Sequence, residues 1–358
     1  MTFKKAKIRI YLINIISYFI NKSLAIKKSN YFFLIKLYQY IYDINKLHVI
    51  FKKEIINDNY LSLEIAEENK TIKNIRLYFS IDILNNITTM KRAKKCLDYW
   101  IPLAIKLSNK VKKDFYINLN YGDVGNNDYL SMNSDQNLTL IPDLYSLDAA
   151  AKLKNKLQSK SFEQFKKIWL SKENKMYWRG STTGCRYENL KELRSLKRIQ
   201  ICKKFIQTED IDIKISRIIQ NGINKSKIKK YLIKEKIYAK EVSENKFRNY
   251  KYYPDIPGNS LAWGTITKYL AGSLIFKAEY KEQLYYYKLL KPWIHYIPVN
   301  KDFSDLEEKL LWSKTNITKS LEIAYSGYII ILEYLKNIDT HFINTSLIYI
   351  KNNNNNNY

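Results

Sequence analysis

The sequence predicts an α/β protein built from two domains. The chain has 358 residues, about two ordinary domains by length. After residue 112, strand-like apolar runs alternate with helix-like periods, and this alternation is typical of parallel sheets with helical crossovers. Hydrophobic residues make up 46% and aromatic residues 14% of the chain. This apolar content is too high for a disordered protein, so the chain is expected to fold around substantial cores.

The chain is strongly basic, with 61 Lys and Arg against 34 Asp and Glu and a formal net charge of +27. Such a charge attracts polyanions, which include nucleic acid, acidic lipid and phosphorylated substrates. Many lysines are scattered among Ile, Asn and Tyr, so a genome rich in A and T is an equally good explanation of the excess. The three cysteines show no spacing for a disulfide framework or a zinc site, which predicts a reducing compartment.

The amino-terminal residues 8–20 form a nearly continuous apolar run behind Lys4, Lys5 and Lys7. This run is shorter than the ~20 residues that span a bilayer, and no small-residue cleavage site follows it. A secreted or membrane-spanning protein is therefore not expected. Two alternatives remain for the run, a buried first strand or helix and an interfacial helix on acidic headgroups.

The elements of the first half follow in chain order. Short strands are predicted at 47–51 and 75–81. The alternating residues FYINLN then predict a strand within 112–120, followed by the polar loop YGDVGNND at 121–128. A carboxylate at the carboxyl end of a strand lies where open α/β sheets bind their ligands. A second short strand with a turn is predicted at 138–146, and a helix at 149–170.

The second half contains two strand-loop-helix units. The first runs from a strand and loop at 175–184 into a basic helix at 186–204, and the second covers 250–270. A buried strand follows at 273–277, and the step SDLE at 304–307 predicts a capping box that starts a helix. The closing KNNNNNNY at 351–358 is a polar low-complexity tail.

The loop WRGSTTGCR at 178–186 contains the groups of a phosphate cradle. Glycines let the backbone approach a ligand, helix-entry amides favour anions, and guanidinium groups bind phosphate oxygens in pairs. The loop lacks the Walker A pattern, and a solvated surface loop is the alternative interpretation. The second loop, PGNSLAWG at 257–264, offers hydrogen bonds and a stacking face for a base or sugar ring, with a plain helix cap as its alternative.

No metal site is predicted. Asp210 and Asp212 form a D-x-D step, but they lie in a polar stretch without a second ligand cluster, so a solvated strand entry explains them more simply. The three histidines stand far apart in the sequence. Hydrolase nucleophile motifs and the kinase set are absent from the sequence.

Three segments, at 178–186, 251–277 and 290–312, together resemble glycosyltransferase family 90, the capsule-associated, lipopolysaccharide-modifying and protein O-glucosyltransferase family. The Asn-Ser-x-x-Trp-Gly step looks like the bacterial branch, because animal members have an arginine where this chain has Gly264. The resemblance implies a GT-B architecture, with two Rossmann-like domains facing across a cleft. It also implies metal-independent transfer from a UDP-sugar with inversion, and no cofactor besides that donor. The expected domains are 1–165 on the acceptor side, 166–335 for the nucleotide-sugar, and 336–358 as a carboxyl-terminal segment with a disordered tail.

The resemblance also implies site residues. Asp123 corresponds to the general base, with Asp128 as the alternative, and no residue is assigned to a metal. Ser181 and Arg186 match positions that hold the donor diphosphate. The other residues assigned to the UDP-sugar donor are Arg179 and Gly180, which shape the same loop, and Asn259, Ser260, Trp263 and Gly264 around the uridine and phosphates.

The expected function is transfer of glucose or xylose to a hydroxyl of a cell-surface glycan, such as a lipopolysaccharide or capsule precursor, or of a lipid-linked glycan. The expected location is the cytoplasm, with peripheral contact to an acidic inner membrane as an added hypothesis. No nucleic-acid partner is expected. Two alternatives stay open: a basic nucleic-acid-binding protein, and an inactive binding protein with the same fold.

Overall fold

The computed structural model describes residues 46–52, 60–68, 71–80, 87–111, 113–123, 128–134, 139–153 and 159–354. The apolar run at 8–20 lies outside the described residues. Contacts divide the chain into two units, Met1–Tyr121 with Ile350–Tyr358, and Gly122–Tyr349. Residues 122–165, assigned above to the amino-terminal domain, group with the second unit. The predicted domain bounds stay a prediction.

The described part of the first unit is a sheet with a helix. Both predicted strands and the FYINLN strand are confirmed. Strand β2 is antiparallel to both β3 and β4, while β1 pairs with β3 in parallel. These pairings differ from the parallel sheet of a Rossmann-like domain. The elements are β1 (Lys46–Lys52), β2 (Tyr60–Glu68), β3 (Thr71–Ser80), α1 (Ile87–Val111) and β4 (Phe115–Asn120).

The second unit holds the parallel sheet. Its strands are β5 (Leu130–Ser131), β6 (Asn133–Ser134), β7 (Glu173–Ser181), β8 (Ile211–Arg217), β9 (Tyr250–Pro254), β10 (Leu274–Lys277), β11 (Gln283–Leu284) and β12 (Ile297–Pro298). Its helices are α2 (Leu144–Leu153), α3 (Phe162–Leu170), α4 (Leu190–Ser195), α5 (Lys197–Lys204), α6 (Lys225–Lys234), α7 (Thr265–Leu270), α8 (Leu306–Thr315) and α9 (Ile317–Lys336), while α10 (Ile338–Asn354) runs past the end of the unit. Short 3₁₀ helices cover Glu244–Asn249 and Tyr285–Leu289.

Five of these strands pair in parallel in the order β12-β10-β9-β7-β8. Counted along the chain, this is the doubly wound order 2-1-3-4-5, and the direction of winding reverses between β7 and β9. Ligands of open α/β sheets bind at the carboxyl ends of the strands beside such a switch point. The α/β prediction is confirmed here, and both glycine loops follow the two switch-point strands.

Burial of both sheet faces explains why the central strands appear in the sequence as largely apolar runs. All residues of β9 and β10 are buried, and most of them are apolar or aromatic, although Lys251 and Lys277 are buried as well. Helix α9 packs against α7 and β10 and covers one face with side chains such as Ile323, Ile331 and Leu335. The loop that follows β9 at the carboxyl edge of the sheet therefore extends from a strand that is fully buried.

Several helix predictions need correction. The helix predicted at 149–170 is two helices, α2 and α3, and α2 already begins at Leu144. Within the predicted strand at 138–146, Leu140 makes a single bridge to Ser131. The basic helix predicted at 186–204 begins at Leu190 and is interrupted at Leu196, whose extended backbone ends α4 before α5 starts.

The capping box predicted at 304–307 does not form. Helix α8 begins at Leu306, as expected, but Asp305 is its N-cap residue. The Ser304 hydroxyl accepts a hydrogen bond from Asn300, and Glu307 binds Thr208 instead. At the carboxyl terminus, α10 extends into the asparagine run as far as Asn354, and 355–358 lie outside the described residues.

Among the helices in the described ranges, none combines the length and hydropathy needed to cross a bilayer.

Candidate functional site at the sheet switch point

Two loops meet at the carboxyl ends of β7 and β9. We call residues 182–189 loop A and residues 255–264 loop B. The side chain of Asn259 joins them, because its Oδ1 accepts a hydrogen bond from the Gly184 backbone N–H at 3.0 Å. Its Nδ2 donates to Asp123 Oδ2 at 3.4 Å. One amide therefore links loop A, loop B and the predicted base.

Arg198, near the start of α5, bridges the same two loops and was missed by the sequence analysis. Toward loop A, it donates to the Ser181 carbonyl at 3.1 Å, to the Ser181 hydroxyl and to the Thr183 hydroxyl. Toward loop B, it donates to the Ile256 carbonyl at 3.0 Å and to the Pro257 carbonyl at 2.9 Å. Burial lowers the pKa of Arg198 to about 10, so the guanidinium stays charged at neutral pH.

The end of β7 has room only for glycine at position 180. A Cβ added there would lie 2.2 Å from Cζ2 of Trp178, whose indole folds back against the backbone. The same indole supports the Arg198 guanidinium, 5.2 Å from the ring centroid. Gly180 and Trp178 thus shape the strand end that carries Ser181, and the donor-loop role of Gly180 stays a prediction.

The two arginines of the predicted cradle have different surroundings. Arg179 is buried and forms an ion pair with Asp212, while its guanidinium stacks 4.2 Å from the centroid of the Tyr177 ring. Arg186 is exposed, and its Nε donates to Glu188 Oε1 at 2.6 Å. This hydrogen bond raises the pKa of Arg186. Arg186 is accessible to a ligand, whereas Arg179 braces β7 against β8.

The buried Asp255 carboxylate holds loop B in place. Asp255 accepts hydrogen bonds from the Thr265 hydroxyl and from the Tyr287 hydroxyl at 2.9 Å. Burial raises the pKa of Asp255, and the buried Lys277 ammonium acts against this shift. Because Thr265 is the first residue of α7, Asp255 holds both ends of loop B in place.

The remaining predicted residues lie along loop B or near it. Trp263 stacks on Tyr145, with ring centroids 6.5 Å apart. The Ser260 hydroxyl is buried and has no hydrogen-bond partner among the described residues. Gly264 faces open space, since a Cβ there meets no atom within 4 Å. Asp128, the alternative base, accepts a hydrogen bond at its backbone carbonyl from Tyr349.

The acids of the D-x-D step form ion pairs. Asp212 binds Arg179, and Asp210 binds Lys314. In the described ranges, no group of three or more His, Cys, Asp or Glu side chains is placed to hold a metal ion. The three cysteines are free, with Cys96 and Cys202 buried and Cys185 exposed.

A protein-family model matches the part of the chain that contains both loops. The model described as Glycosyl transferase family 90 matches residues 143–342, more than half of the chain and all of both loops. The chain belongs to glycosyltransferase family 90. The family match includes Arg198 but begins after Asp123 and Asp128, so the assignment of the base stays a prediction.

Named relatives of this family 90 chain come from animals and a virus. It is 32% identical over 164 residues to Protein O-glucosyltransferase 2 of Danio rerio, covering 45% of this chain and 29% of that protein. It is 37% identical over 98 residues to Protein O-glucosyltransferase 1 of Bos taurus, covering 27% and 25%. It is 26% identical over 206 residues to Uncharacterized protein 179R of Invertebrate iridescent virus 6, covering 50% and 17%. The chain thus spans less than a third of these relatives' length, and none of the three supports the predicted bacterial branch.

Proposed function

We propose that this protein transfers a hexose or pentose, with glucose or xylose as the first candidates, from a UDP-sugar to a hydroxyl group. The observation that carries the proposal is the Asn259 amide, which joins both loops to the Asp123 carboxylate at the switch point. A donor phosphate at the loops would lie beside a carboxylate able to accept a proton. This is the juxtaposition that an inverting transfer requires.

In the proposed reaction, Asp123 accepts the proton of the acceptor hydroxyl as its oxygen attacks the anomeric carbon. The bond between that carbon and the phosphate oxygen breaks, and UDP leaves from the opposite face of the sugar. The side-chain N–H of Asn259 donates a hydrogen bond to the Asp123 carboxylate and holds it in position. Asn259 is thus a positioning residue for the base.

The leaving diphosphate gains negative charge, which fixed positive groups must stabilise. Arg186 supplies an exposed guanidinium, and it must exchange the Glu188 carboxylate for phosphate oxygens. That exchange is easy because both partners are exposed, where an ion pair is weak. The Ser181 hydroxyl and the open backbone around Gly264 offer further hydrogen bonds. In this proposal the diphosphate is held without a metal ion.

The uridine and the acceptor complete the proposal. The faces of Trp263 and Tyr145 suit a planar base or a sugar ring, in keeping with the donor role predicted for loop B. We propose that the doubly wound unit is the nucleotide-sugar domain of a GT-B enzyme. The acceptor we propose is a cell-surface glycan, such as a lipopolysaccharide or capsule precursor, reached from the cytoplasm. Relatives named protein O-glucosyltransferase favour glucose as the sugar and make a protein hydroxyl the second candidate acceptor.

A binding screen followed by a donor panel tests this function. Stabilisation by UDP in a thermal-shift assay is expected, whereas stabilisation by oligonucleotides alone would favour a nucleic-acid-binding protein. Release of UDP from a panel of UDP-sugars, measured with and without EDTA, then separates an enzyme from an inactive relative. Release that persists in EDTA supports the proposal. Release that needs added Mg²⁺ or Mn²⁺ refutes metal independence.

A further inference from the structure

A second cleft, lined by several charged side chains, lies between α5 and the loop that follows β12. Its volume is about 520 Å³, and it is lined by Lys197, Gln200, Ile201, Lys204, Lys301 and Asp302. We call it the lysine cleft. The lining residues all lie outside loop A and loop B. Arg198, which bridges those loops, does not line the cleft, although Lys197 directly precedes it in the chain.

The cleft concentrates positive charge. Three ammonium groups and one carboxylate give it a formal charge of +2. Among the described residues, Lys204 and Lys301 have no hydrogen-bond or ion-pair partner. Like charges held together repel one another, and an anion between them would relieve that repulsion. The lysine cleft therefore favours a compact anion.

Lys197 gives the cleft a fixed cation. Its Nζ donates to the Tyr280 hydroxyl at 3.0 Å and lies 4.9 Å from the centroid of the same ring. Burial lowers the pKa of Lys197, with Asp302 acting against the shift and Lys301 adding to it. An ammonium that is already oriented and partly desolvated loses less entropy on binding an anion than a free surface lysine does.

The polar groups beside the lysines suit a ligand with hydroxyls. Asp302 accepts a hydrogen bond from the Ser304 backbone N–H at 3.0 Å, which orients its carboxylate and leaves it able to accept from a sugar hydroxyl. The Gln200 amide can donate and accept beside it. A phosphate ion alone would fill only part of this volume.

We propose that the lysine cleft binds a phosphorylated sugar, with the lysines on the phosphate monoester and with Gln200 and Asp302 on the sugar hydroxyls. A long polyanion fits less well, because the next cation along α5, Lys203, is held by Glu235 at 2.7 Å and does not extend the cleft into a stripe. The site goes beyond the donor site proposed above, and its test does not depend on transfer activity.

The test measures binding of glucose 6-phosphate, inorganic phosphate and glucose to the full chain by titration calorimetry. Glucose 6-phosphate should bind more tightly than inorganic phosphate, and glucose should not bind. The double variant Lys204→Ala/Lys301→Ala should weaken glucose 6-phosphate binding by about tenfold or more, as expected for lost charge-assisted contacts. Both lysines are exposed, so the variant should fold.

A matched control removes two exposed lysines from α6, Lys227→Ala/Lys230→Ala, and changes the net charge equally. This control should bind glucose 6-phosphate like the unmodified protein. Equal weakening in both double variants would show unspecific attraction and overturn the site. Equal affinity for inorganic phosphate and glucose 6-phosphate would overturn the sugar contacts. Competition between UDP and glucose 6-phosphate would overturn a separate site without touching the proposed donor function.

Discussion

Replacing Arg198 by alanine should both destabilise the second unit and weaken UDP binding. The guanidinium is the connection between the end of β7 and loop B, and it makes five hydrogen bonds there. It lies where the strand pairing of β7 with β9 has ended, since the last paired residues are Met176 and Tyr252. Without Arg198, the two loops keep the hydrogen bond between Asn259 and Gly184 but lose the five made by the guanidinium.

The expected loss of stability follows from the hydrogen-bond acceptors that Arg198→Ala leaves without a donor. The carbonyls of Ile256 and Pro257 belong to buried residues, and an unsatisfied buried acceptor costs about 1–3 kcal/mol. Partial exposure of Arg198 lets water replace some of the lost bonds, so roughly 2–4 kcal/mol in total is expected. For a unit of this size, that loss lowers Tm by about 4–16 °C.

The assay combines thermal unfolding with UDP titration for Arg198→Ala, Arg198→Lys and a control, Arg194→Ala. Lysine keeps the charge but not the planar fork, so the lysine variant should fall between the alanine variant and the unmodified protein. Arg194 is exposed and its guanidinium lies 5.2 Å from the centroid of the Tyr231 ring, away from both loops. The reasoning fails if Arg198→Ala unfolds and binds UDP like the control.

Three further predictions follow from the site and its support. Arg186→Ala should weaken UDP binding by about tenfold or more without lowering Tm, because the side chain is exposed; titration that shows no loss would remove Arg186 from the donor site. Gly180→Ala should cost about 1–3 kcal/mol in urea unfolding, since its Cβ would overlap Trp178; an unchanged midpoint would show that the indole can move. Burial raises the pKa of Asp143 from 3.8 to about 6, so the folded state binds more protons than the unfolded state between those values. The Asp143 contribution to the free energy of unfolding should therefore fall as pH rises from about 4 to 6, by roughly 3 kcal/mol, and Asp143→Asn should remove this contribution from the pH profile.

Local sequence was sufficient to predict both loops. Glycine, proline and hydroxyl residues after an apolar run specify a strand that ends in a turn, and WRGSTTGCR and PGNSLAWG do follow β7 and β9. The parallel sheet was predictable for the same reason, because strands separated by helices need crossover connections. The order 2-1-3-4-5 was not, since it depends on pairings between segments distant in the chain.

Arg198 escaped the sequence analysis because its partners lie 15 to 59 residues away. A weak signal was present, since Arg198 shares one side of α5 with the buried Ile201 and Cys202, where a solvated arginine would not be expected. The boundary between α4 and α5 was also not predicted. Leu196 fits a helical pattern, yet its backbone is extended and its side chain is buried, and the helix is interrupted there.

The predicted base depends on long-range structure in the same way. Asp123 and Asp128 lie in one polar loop of the sequence, and only the family resemblance ranks Asp123 first. In the structure, the Asp123 carboxylate contacts Asn259 of loop B, which lies 136 residues further along the chain. That contact supports the proposed role of Asp123, and no local pattern in the sequence contains it.

The central claim, glycosyl transfer with Asp123 as the base, is tested most directly by single-turnover transfer kinetics of Asp123→Asn beside Asp128→Asn. The asparagine keeps the shape of the side chain and removes the proton acceptor, so transfer should fall ~100-fold or more while UDP affinity stays unchanged. Asp128→Asn should transfer at the unmodified rate. Full transfer by Asp123→Asn, with loss in Asp128→Asn, would assign the base to Asp128, and full transfer by both variants would contradict the mechanism.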